Sequence, residues 1–333
     1  MSFGDFFIFL FYIDEVKFMH LDFFVVMSNL AGLFFLIAAG FLGVKLKLLK
    51  PEYVSTFSTL LMNITLPCTI FVSLVTREYD PKFIHDSLLI IFIGLICFPV
   101  MLYVSKFISK FFGVPKSSRG TWSFCCAFSN TGFMGFPICL NLFGPEGMAL
   151  SVMHNIAFNV HIYTIGAIEM SRDGENKSTA HKINFKKIIF SSLNYATVLS
   201  LIFYFANIKV PTMILTPLKY LSDITVPMSM LIIGIILGRT SGKELLTDKN
   251  AYTSALLRLI IYPVIMSFVL KLFNFSNPLI AAVTIVVNSM PAASVTSVLA
   301  NMYNGDIDLA AKVMFVHNIL CMITIPAICA VLL

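Results

Sequence analysis

Two stretches of the sequence place polar residues, glycine and proline inside apolar runs that are long enough to cross a membrane. The first is FSNTGFMGFPIC at residues 128–139, and the second is VNSMPAAS at residues 287–294. Amide side chains donate hydrogen bonds to a carboxylate, and hydroxyls add further contacts. We therefore expect these stretches to form one binding site for an anion. The candidate substrate-binding residues are Asn130, Thr131, Gly132, Gly135, Pro137, Asn288, Ser289 and Pro291.

Each of these candidates also has a structural interpretation. The amides of Asn130 and Asn288 can cap loose main-chain groups instead of binding a ligand. Hydroxyls in membrane helices often bond back to their own helix, and this alternative applies to Thr131, Ser289, Ser294 and Thr296. Both interpretations stay open at the level of sequence.

A second group of residues has types suited to coupling by H+ or Na+: Asp223, Asn63, His154 and His317. Carboxylates inside membranes usually have a functional or a pairing role, and Lys219, one turn before Asp223, offers a pairing partner. Histidine titrates near neutral pH, but a buried histidine is often a hydrogen-bonded core residue. Arg258 lies near a span end, where long basic side chains extend to the membrane surface; binding the anion is its alternative role.

Composition defines the class of protein. The 333 residues are 58% hydrophobic and 12% charged, whereas soluble domains are about 45–50% apolar and about 25% charged. This indicates an all-helical, multi-pass membrane protein whose surroundings are a lipid bilayer and not nucleic acid. A span needs roughly 20 apolar residues. Ten such stretches are present, at 23–44, 54–76, 86–108, 120–142, 147–168, 187–206, 213–238, 252–273, 278–302 and 308–332.

The basic residues predict the orientation of these spans. Most of the 23 Lys and Arg residues lie in the connections after spans 1, 3, 5, 7 and 9. Cytoplasmic loops carry an excess of such residues, so we expect both termini on the outer side of the cell membrane. Neither the seven cysteines nor the His and acidic residues have metal-site spacing, and we expect no cofactor.

The chain also divides into segments. Residues 1–22 contain an apolar run too short to span, which we interpret as an interfacial segment or as the result of a start codon assigned upstream of Met19 or Met27. Residues 23–168 form a first set of five spans, 169–186 a polar linker, and 187–333 a second set of five.

The two sets resemble each other in sequence. Residues 51–67 match residues 211–227 at six positions, namely Pro51/Pro211, Thr56/Thr216, Leu61/Leu221, Ile64/Ile224, Thr65/Thr225 and Pro67/Pro227. His154-Asn155 likewise resembles His317-Asn318. Because five is odd, the second repeat enters the membrane from the opposite side. Inverted repeats with interrupted helices are a transporter architecture whose site lies near the midplane.

Glycine and proline explain how spans 4 and 9 break. Proline removes a backbone donor and glycine tolerates unwound geometry, so we expect Gly132, Gly135 and Pro137 to break span 4. Span 9 breaks at residues 288–291 and crosses span 4 there. The N-termini of half-helices carry partial positive charge and attract anions, so two such ends converging at the crossing predict an anion site. The alternative is that these residues produce only ordinary kinks.

Three motifs, SNTGFMGFP, NITLP and VNSMPAAS, accompany the five-plus-five layout. On these motifs and this layout, the chain resembles the auxin efflux carrier family, in its compact bacterial form. The resemblance covers residues 23–333. It implies a fold similar to bile-acid sodium symporters and sodium/proton antiporters, with a scaffold of spans 1, 2, 6 and 7 and a transport unit of spans 3–5 and 8–10. It also implies carboxylate-bearing substrates and a homodimer through the scaffold helices.

The sequence therefore predicts a secondary active transporter of small organic anions that alternates access around the crossing of spans 4 and 9. The chain has no phosphate-binding loop, so its energy source is an ion gradient or the substrate itself. The alternatives are an intramembrane transferase and a membrane sensor. Such an enzyme needs clustered acids or a His/Asp/Ser arrangement, and a sensor usually has an attached soluble domain; the sequence suggests neither.

Overall fold

The computed structural model describes residues 23–173, 192–239, 247–273 and 275–332. Within these ranges the regular secondary structure is helical, apart from an isolated antiparallel bridge between Ser129 and Ala292. In chain order the helices are α1 (Phe23–Lys45), α2 (Tyr53–Val75), α3 (Pro81–Ile108), α4 (Arg119–Ala127), α5 (Thr131–Met170), α6 (Ser192–Phe205), α7 (Thr212–Asp223), α8 (Thr225–Arg239), α9 (Lys249–Lys271), α10 (Leu279–Asn288), α11 (Thr296–Met302) and α12 (Ile307–Leu332).

Six stretches of this described chain are long and apolar enough to cross a membrane. They are α2, α3, α5, the combined α7 and α8, α9 and α12. Shorter apolar helices cover Leu30–Lys45, Ser192–Phe205 and Leu279–Asn288. The prediction of an all-helical membrane protein is confirmed. Helices occupy part or all of each of the ten predicted spans, but the number of crossings and the inverted arrangement stay predictions.

The predicted domain boundaries are only partly covered by the structure. Residues 1–22 lie outside the described residues, as does most of the linker at 169–186. α5 contains the second half of predicted span 4 and all of span 5, joined at Gly144, which has φ 68° and ψ −162°. Glycine adopts a positive φ without the steric cost of a Cβ atom, and Pro145 follows it. The division into two five-helix repeats stays a prediction.

Three prolines follow widened helical turns. The π-helical turns Leu61–Thr65, Thr131–Gly135 and Leu257–Ile261 each stand two residues before a proline. A proline lacks the N–H of an α-helical bond and its ring clashes with the preceding turn. Such turns are common at functional sites. Here they let α2, α5 and α9 continue as helices through Pro67, Pro137 and Pro263.

α1 and α8 form a close backbone contact beside the broken helices. A Cβ atom added to Gly234 would lie 2.0 Å from the carbonyl oxygen of Ile37. Small residues let helices approach in this way in lipid, where packing replaces the hydrophobic effect. α8 also contacts α2, since the hydroxyls of Thr69 and Thr225 hydrogen-bond at 2.7 Å. These contacts join the helices that the resemblance assigns to the scaffold.

Candidate functional site

The two broken stretches meet and exchange backbone hydrogen bonds. Asn130 N donates to Pro291 O at 2.8 Å, and Ala293 N donates to Phe128 O at 3.0 Å. An unpaired backbone group inside a membrane is costly, and irregular backbone is tolerated only where protein or a cavity surrounds it. Each break therefore satisfies the groups that the other exposes.

The break before α5 lies at residues 128–130, and the prediction that Gly132, Gly135 and Pro137 cause it is wrong. Phe128 is extended, with φ −105° and ψ 116°, whereas Gly135 is helical, with φ −60° and ψ −49°. Gly132 lies within the π-helical turn, and Pro137 lies near the start of the α-helix that follows. The chain leaves the helix where its backbone finds partners in the other stretch, not where its intrinsic helix propensity is lowest.

Asn130 begins the half-helix that follows the break. Its Oδ1 accepts a hydrogen bond from Phe133 N at 3.2 Å, as the side chain of an N-cap residue does. Asn130 also lines a cavity beside the crossing. The structure thus shows the capping role for Oδ1. The Nδ2 group of the same side chain is the donor that could bind a carboxylate ligand.

Asn288 occupies a different position from Asn130, since it ends the half-helix before its break. It is fully buried and does not line the cavity beside the crossing. Its Nδ2 donates to Thr284 O at 2.9 Å. Ser289 Oγ likewise donates back to Ile285 O at 2.7 Å. Both residues show the helix-bound geometry of the structural alternative, and Pro291 contributes its carbonyl to the crossing.

The cavity beside the crossing has a free volume of about 80 Å³, and one water needs roughly 10–15 Å³ on this measure. It therefore has room for a small solute. Its walls come from the crossing, α2, α5 and the start of α6. The lining that the structure describes includes no charged side chain; its polar members are Ser129, Asn130, Thr131, Asn155, Asn159, Tyr163 and Ser294.

Two further predicted residues, Thr131 and Gly132, line this cavity beside Asn130. Thr131 Oγ1 donates to Asn155 Oδ1 at 2.7 Å, which orients the amide of Asn155 and directs its donor group away from Thr131. A Cβ atom added to Gly132 would have no atom within 4 Å. The sequence did not single out Asn155 as a site residue, although the repeated His-Asn pair contained it.

His317 holds one side of the crossing in place. Its Nδ1 accepts a hydrogen bond from Ala292 N at 3.2 Å, and its Nε2 lies 2.9 Å from Ser254 Oγ. Ser254 already donates its hydroxyl proton to Ala251 O. This network assigns the neutral tautomer with hydrogen on Nε2. Protonation of Nδ1 would break the bond to the crossing, so the geometry favours a structural role.

His154 lies fully buried on the other side, next to Asn288. The Nδ2 atom of Asn288 is 3.4 Å from His154 Nε2. His154 Nδ1 and Asn288 Oδ1 have no hydrogen-bond partner among the described residues. Buried polar groups usually have partners, so this pair is the best candidate among the predicted coupling residues for holding a water or a proton.

The other predicted coupling residues, Asp223 and Asn63, do not line the crossing cavity. Asp223 and Asn63 are both exposed, and Asn63 accepts a hydrogen bond from Ser192 Oγ at 2.6 Å. The expected pairing of Lys219 with Asp223 does not form; the ion pairs found in the described part of the chain involve other residues.

Arg258 is fully buried, and the prediction that it extends to the membrane surface is wrong. Its guanidinium donates to Cys126 O at 3.2 Å, to Ala127 O at 3.1 Å and to Met290 O at 3.2 Å. The first two carbonyls lie at the end of α4, and Met290 lies two residues after the end of α10, beside the crossing. The breaks leave carbonyls that need donors, and this need holds the side chain inside the protein.

Charged networks lie at both ends of the broken helices. At one end, Arg77 pairs with Glu146 at 3.3 Å, and Asn277 donates to both Glu146 and Asp86. At the other, Asp173 accepts from the backbone N–H groups at the start of α4, at 2.6 and 2.7 Å. Burial raises the pKa of the Asp173 carboxyl to about 6, although these two hydrogen bonds oppose the shift.

Comparisons with known proteins place the chain among transporters. A family model described as membrane transport protein matches residues 25–329. A transporter of Methanocaldococcus jannaschii, described as uncharacterized, is 27% identical over 285 residues, which are 84% of this chain and 90% of the relative. Another such transporter, from Methanothermobacter thermautotrophicus, is 27% identical over 297 residues, 87% of this chain and 93% of the relative. A candidate malonate transporter of Rhizobium meliloti is 21% identical over 312 residues, 91% of this chain and 95% of the relative.

Proposed function

Because the chain belongs to the membrane transport protein family, we propose that it carries small organic anions across the membrane and binds them in the cavity beside the crossing. The family confirms the predicted resemblance to auxin efflux carriers. It also supports a multi-pass membrane transporter over the transferase and sensor alternatives. The anion, the site and the mechanism are proposals.

The observation that carries the proposal is the cavity at the start of α5. A helix N-terminus bears partial positive charge and N–H groups that point toward a ligand. The amide of Asn130 lies at this end of α5, and the amide of Asn155 reaches it through its hydrogen bond with Thr131. The described lining contains no carboxylate that would repel an anion. A small carboxylate would gain hydrogen bonds to amide and backbone donors there. The name of the Rhizobium meliloti relative, a candidate malonate transporter, supports a dicarboxylate.

The two ends of the molecule differ in a way that fits alternating access. The cavity extends to Asn159, Tyr163 and Leu193, where α6 begins. At the opposite end the ion pair of Arg77 and Glu146 joins the loop after α2 to α5. With the orientation inferred from the basic residues, this arrangement corresponds to a conformation open toward the cytoplasm. We propose that the transport unit moves against the scaffold when that ion pair opens.

The wider architecture forms part of the same proposal. It comprises ten spans in two inverted five-helix repeats, both termini outside the cell membrane, and a homodimer through the scaffold helices. The hydrogen bond between Thr69 of α2 and Thr225 of α8 supports the repeats, because it joins segments around the repeated Ile-Thr-x-Pro sequence.

Transport by purified protein tests the proposal. We expect saturable uptake of labelled malonate or malate into proteoliposomes of the native chain, with competition between the two acids and no uptake by protein-free liposomes. Labelled indole-acetate tests larger carboxylates. Imposed proton and sodium gradients identify the energy source. Folded protein that takes up none of these acids, but carries a cation or a neutral solute, would contradict the proposal.

A further inference from the structure

Arg258 is a buried cation without a carboxylate partner among the described residues. It has no exposed surface, and the ion pairs found in the described chain do not include it. A buried charge is very costly unless it is paired or fully hydrogen-bonded. Its position therefore depends on the groups that it does contact.

Those groups are the carbonyl ends of both broken helices. Nη1 donates to Cys126 O and Ala127 O at the end of α4, and Nε donates to Met290 O just after α10. The last carbonyls of a helix have no intrahelical partner, and the C-terminal end carries partial negative charge. Arg258 thus supplies donors and one positive charge to two negative helix ends at the same point.

In carriers with interrupted helices, unwound carbonyls and C-terminal half-helix ends are the groups that coordinate Na+. Na+ brings positive charge to such oxygens, and a guanidinium brings the same charge with directed N–H donors. In this chain the carbonyls of Cys126, Ala127 and Met290 already accept from Arg258. A sodium ion at these three oxygens would have to displace the guanidinium and would be repelled by it.

We propose that Arg258 is the built-in counter-charge of the crossing and takes the place of a bound sodium ion. The crossing then keeps its structure in the absence of Na+, and transport needs no sodium gradient. Arg258 is a positioning residue: it holds the two carbonyl ends while the cavity on the side of Asn130 binds the solute. The statement about transport rests on the proposed function, whereas the statement about the crossing does not.

Thermal unfolding in detergent tests the proposal without any substrate. The melting temperature of the native chain is measured in NaCl and in choline chloride at equal ionic strength, and we expect the same value in both. In Arg258→Ala, with the carbonyls free, we expect a lower melting temperature in choline and recovery of much of the loss in NaCl. Leu257→Ala removes a buried side chain from the same π-helical turn and should lower the melting temperature equally in both salts.

Two results of the melting experiment would contradict this expectation. Selective stabilisation of the native chain by Na+ would overturn the proposal, as would a folded Arg258→Ala protein that does not respond to Na+. If Arg258→Ala does not fold, Arg258→Lys retains the charge and should melt at the same temperature in both salts; sodium dependence of this variant would overturn the proposal. In proteoliposomes, native flux should be unchanged when choline replaces Na+. Absence of all flux would instead count against the proposed function.

Discussion

Asn130 caps α5 through its Oδ1 and lines the cavity in which we propose that the anion binds. Its residue type and its place in a polar stretch were enough to predict it from the sequence. Asn288 has the same type and a similar setting, yet it lies before its break and is bound to its own helix. Sequence cannot distinguish these cases, since the side of a crossing on which a residue falls depends on the exact position of the break.

Arg258 shows why burial of a charge is hard to predict. Its carbonyl partners on α4 and after α10 lie about 130 residues before it and about 30 after it in the chain. Near a span end, extension to the membrane surface is the default for a long basic side chain. Only the three-dimensional meeting of two helix ends creates the donor requirement that overrides this default.

Gly132 provides a test of the cavity at the level of one residue. A side chain here would project into empty space, since no atom lies within 4 Å of an added Cβ. We expect Gly132→Val to reduce uptake of the anion to background without lowering the melting temperature, because it fills the cavity without a clash. Gly32→Val is the matched control, since Gly32 of α1 also has no atom within 4 Å of an added Cβ and lies outside the cavity lining. Equal uptake by both variants would place the site elsewhere.

At the level of elements, helix positions were predictable and the details of their interruptions were not. Runs of apolar residues correctly predicted where helices form. The break before α5 ends at Asn130, two residues before Gly132 and five before Gly135, because bonding to residues 291–293 determines its position. Pro67, Pro137 and Pro263 follow π-helical turns in α2, α5 and α9, a detail that the sequence did not predict.

The close contact of α1 with α8 predicts a strong effect at Gly234. Any side chain there must displace the backbone of α1, because the added Cβ would lie 2.0 Å from Ile37 O. Overpacking of this kind typically costs about 1–3 kcal/mol. We expect Gly234→Val to lower the melting temperature in detergent, whereas Gly32→Val, which makes the same change on an open face, should leave it nearly unchanged. Equal melting of the two variants would contradict the contact.

The carboxyl of Asp173, which accepts hydrogen bonds from the start of α4, predicts that the stability of the protein depends on pH. Burial raises the pKa of this carboxyl from 3.8 to about 6 in the folded chain. The folded state therefore binds the proton more tightly than the unfolded state, and the stabilisation is complete below pH 3.8 and lost as the pH rises through about 6. We expect the stability of the native chain relative to Asp173→Asn to fall between about pH 4 and pH 6. Melting temperatures across this range measure the difference; a constant difference would contradict the raised pKa.

For the whole molecule, the sequence predicted that two distant stretches form one site, and the structure brings residues 128–130 and 291–293 into backbone contact. The family match confirms the transporter class. The part of the site formed by Asn155 was missed because it comes from a different segment of the chain, and only folding places its amide against Thr131.

The ion pair of Arg77 and Glu146 predicts how one end of the molecule opens. Arg77 follows α2, which the resemblance assigns to the scaffold, and Glu146 belongs to α5, which it assigns to the transport unit. We expect Arg77→Gln to favour opening at this end and to increase the labelling of a cysteine placed by Gly132→Cys with an impermeant maleimide added from that side. Lys82→Gln removes an exposed charge near the same end and should leave labelling unchanged. Equal labelling in both backgrounds would argue against a closing role for the ion pair.

Exchange of labelled malonate across the membrane of proteoliposomes by Asn130→Asp tests whether the anion binds at the start of α5. Aspartate caps a helix as well as asparagine does, so the melting temperature should match that of the native chain. A carboxylate facing a bound carboxylate at about 4 Å costs roughly 4 kcal/mol at an intermediate dielectric, enough to weaken binding nearly a thousandfold. We expect loss of exchange from a protein of unchanged stability. Exchange at the native rate would show that Asn130 only caps α5 and that the anion binds elsewhere.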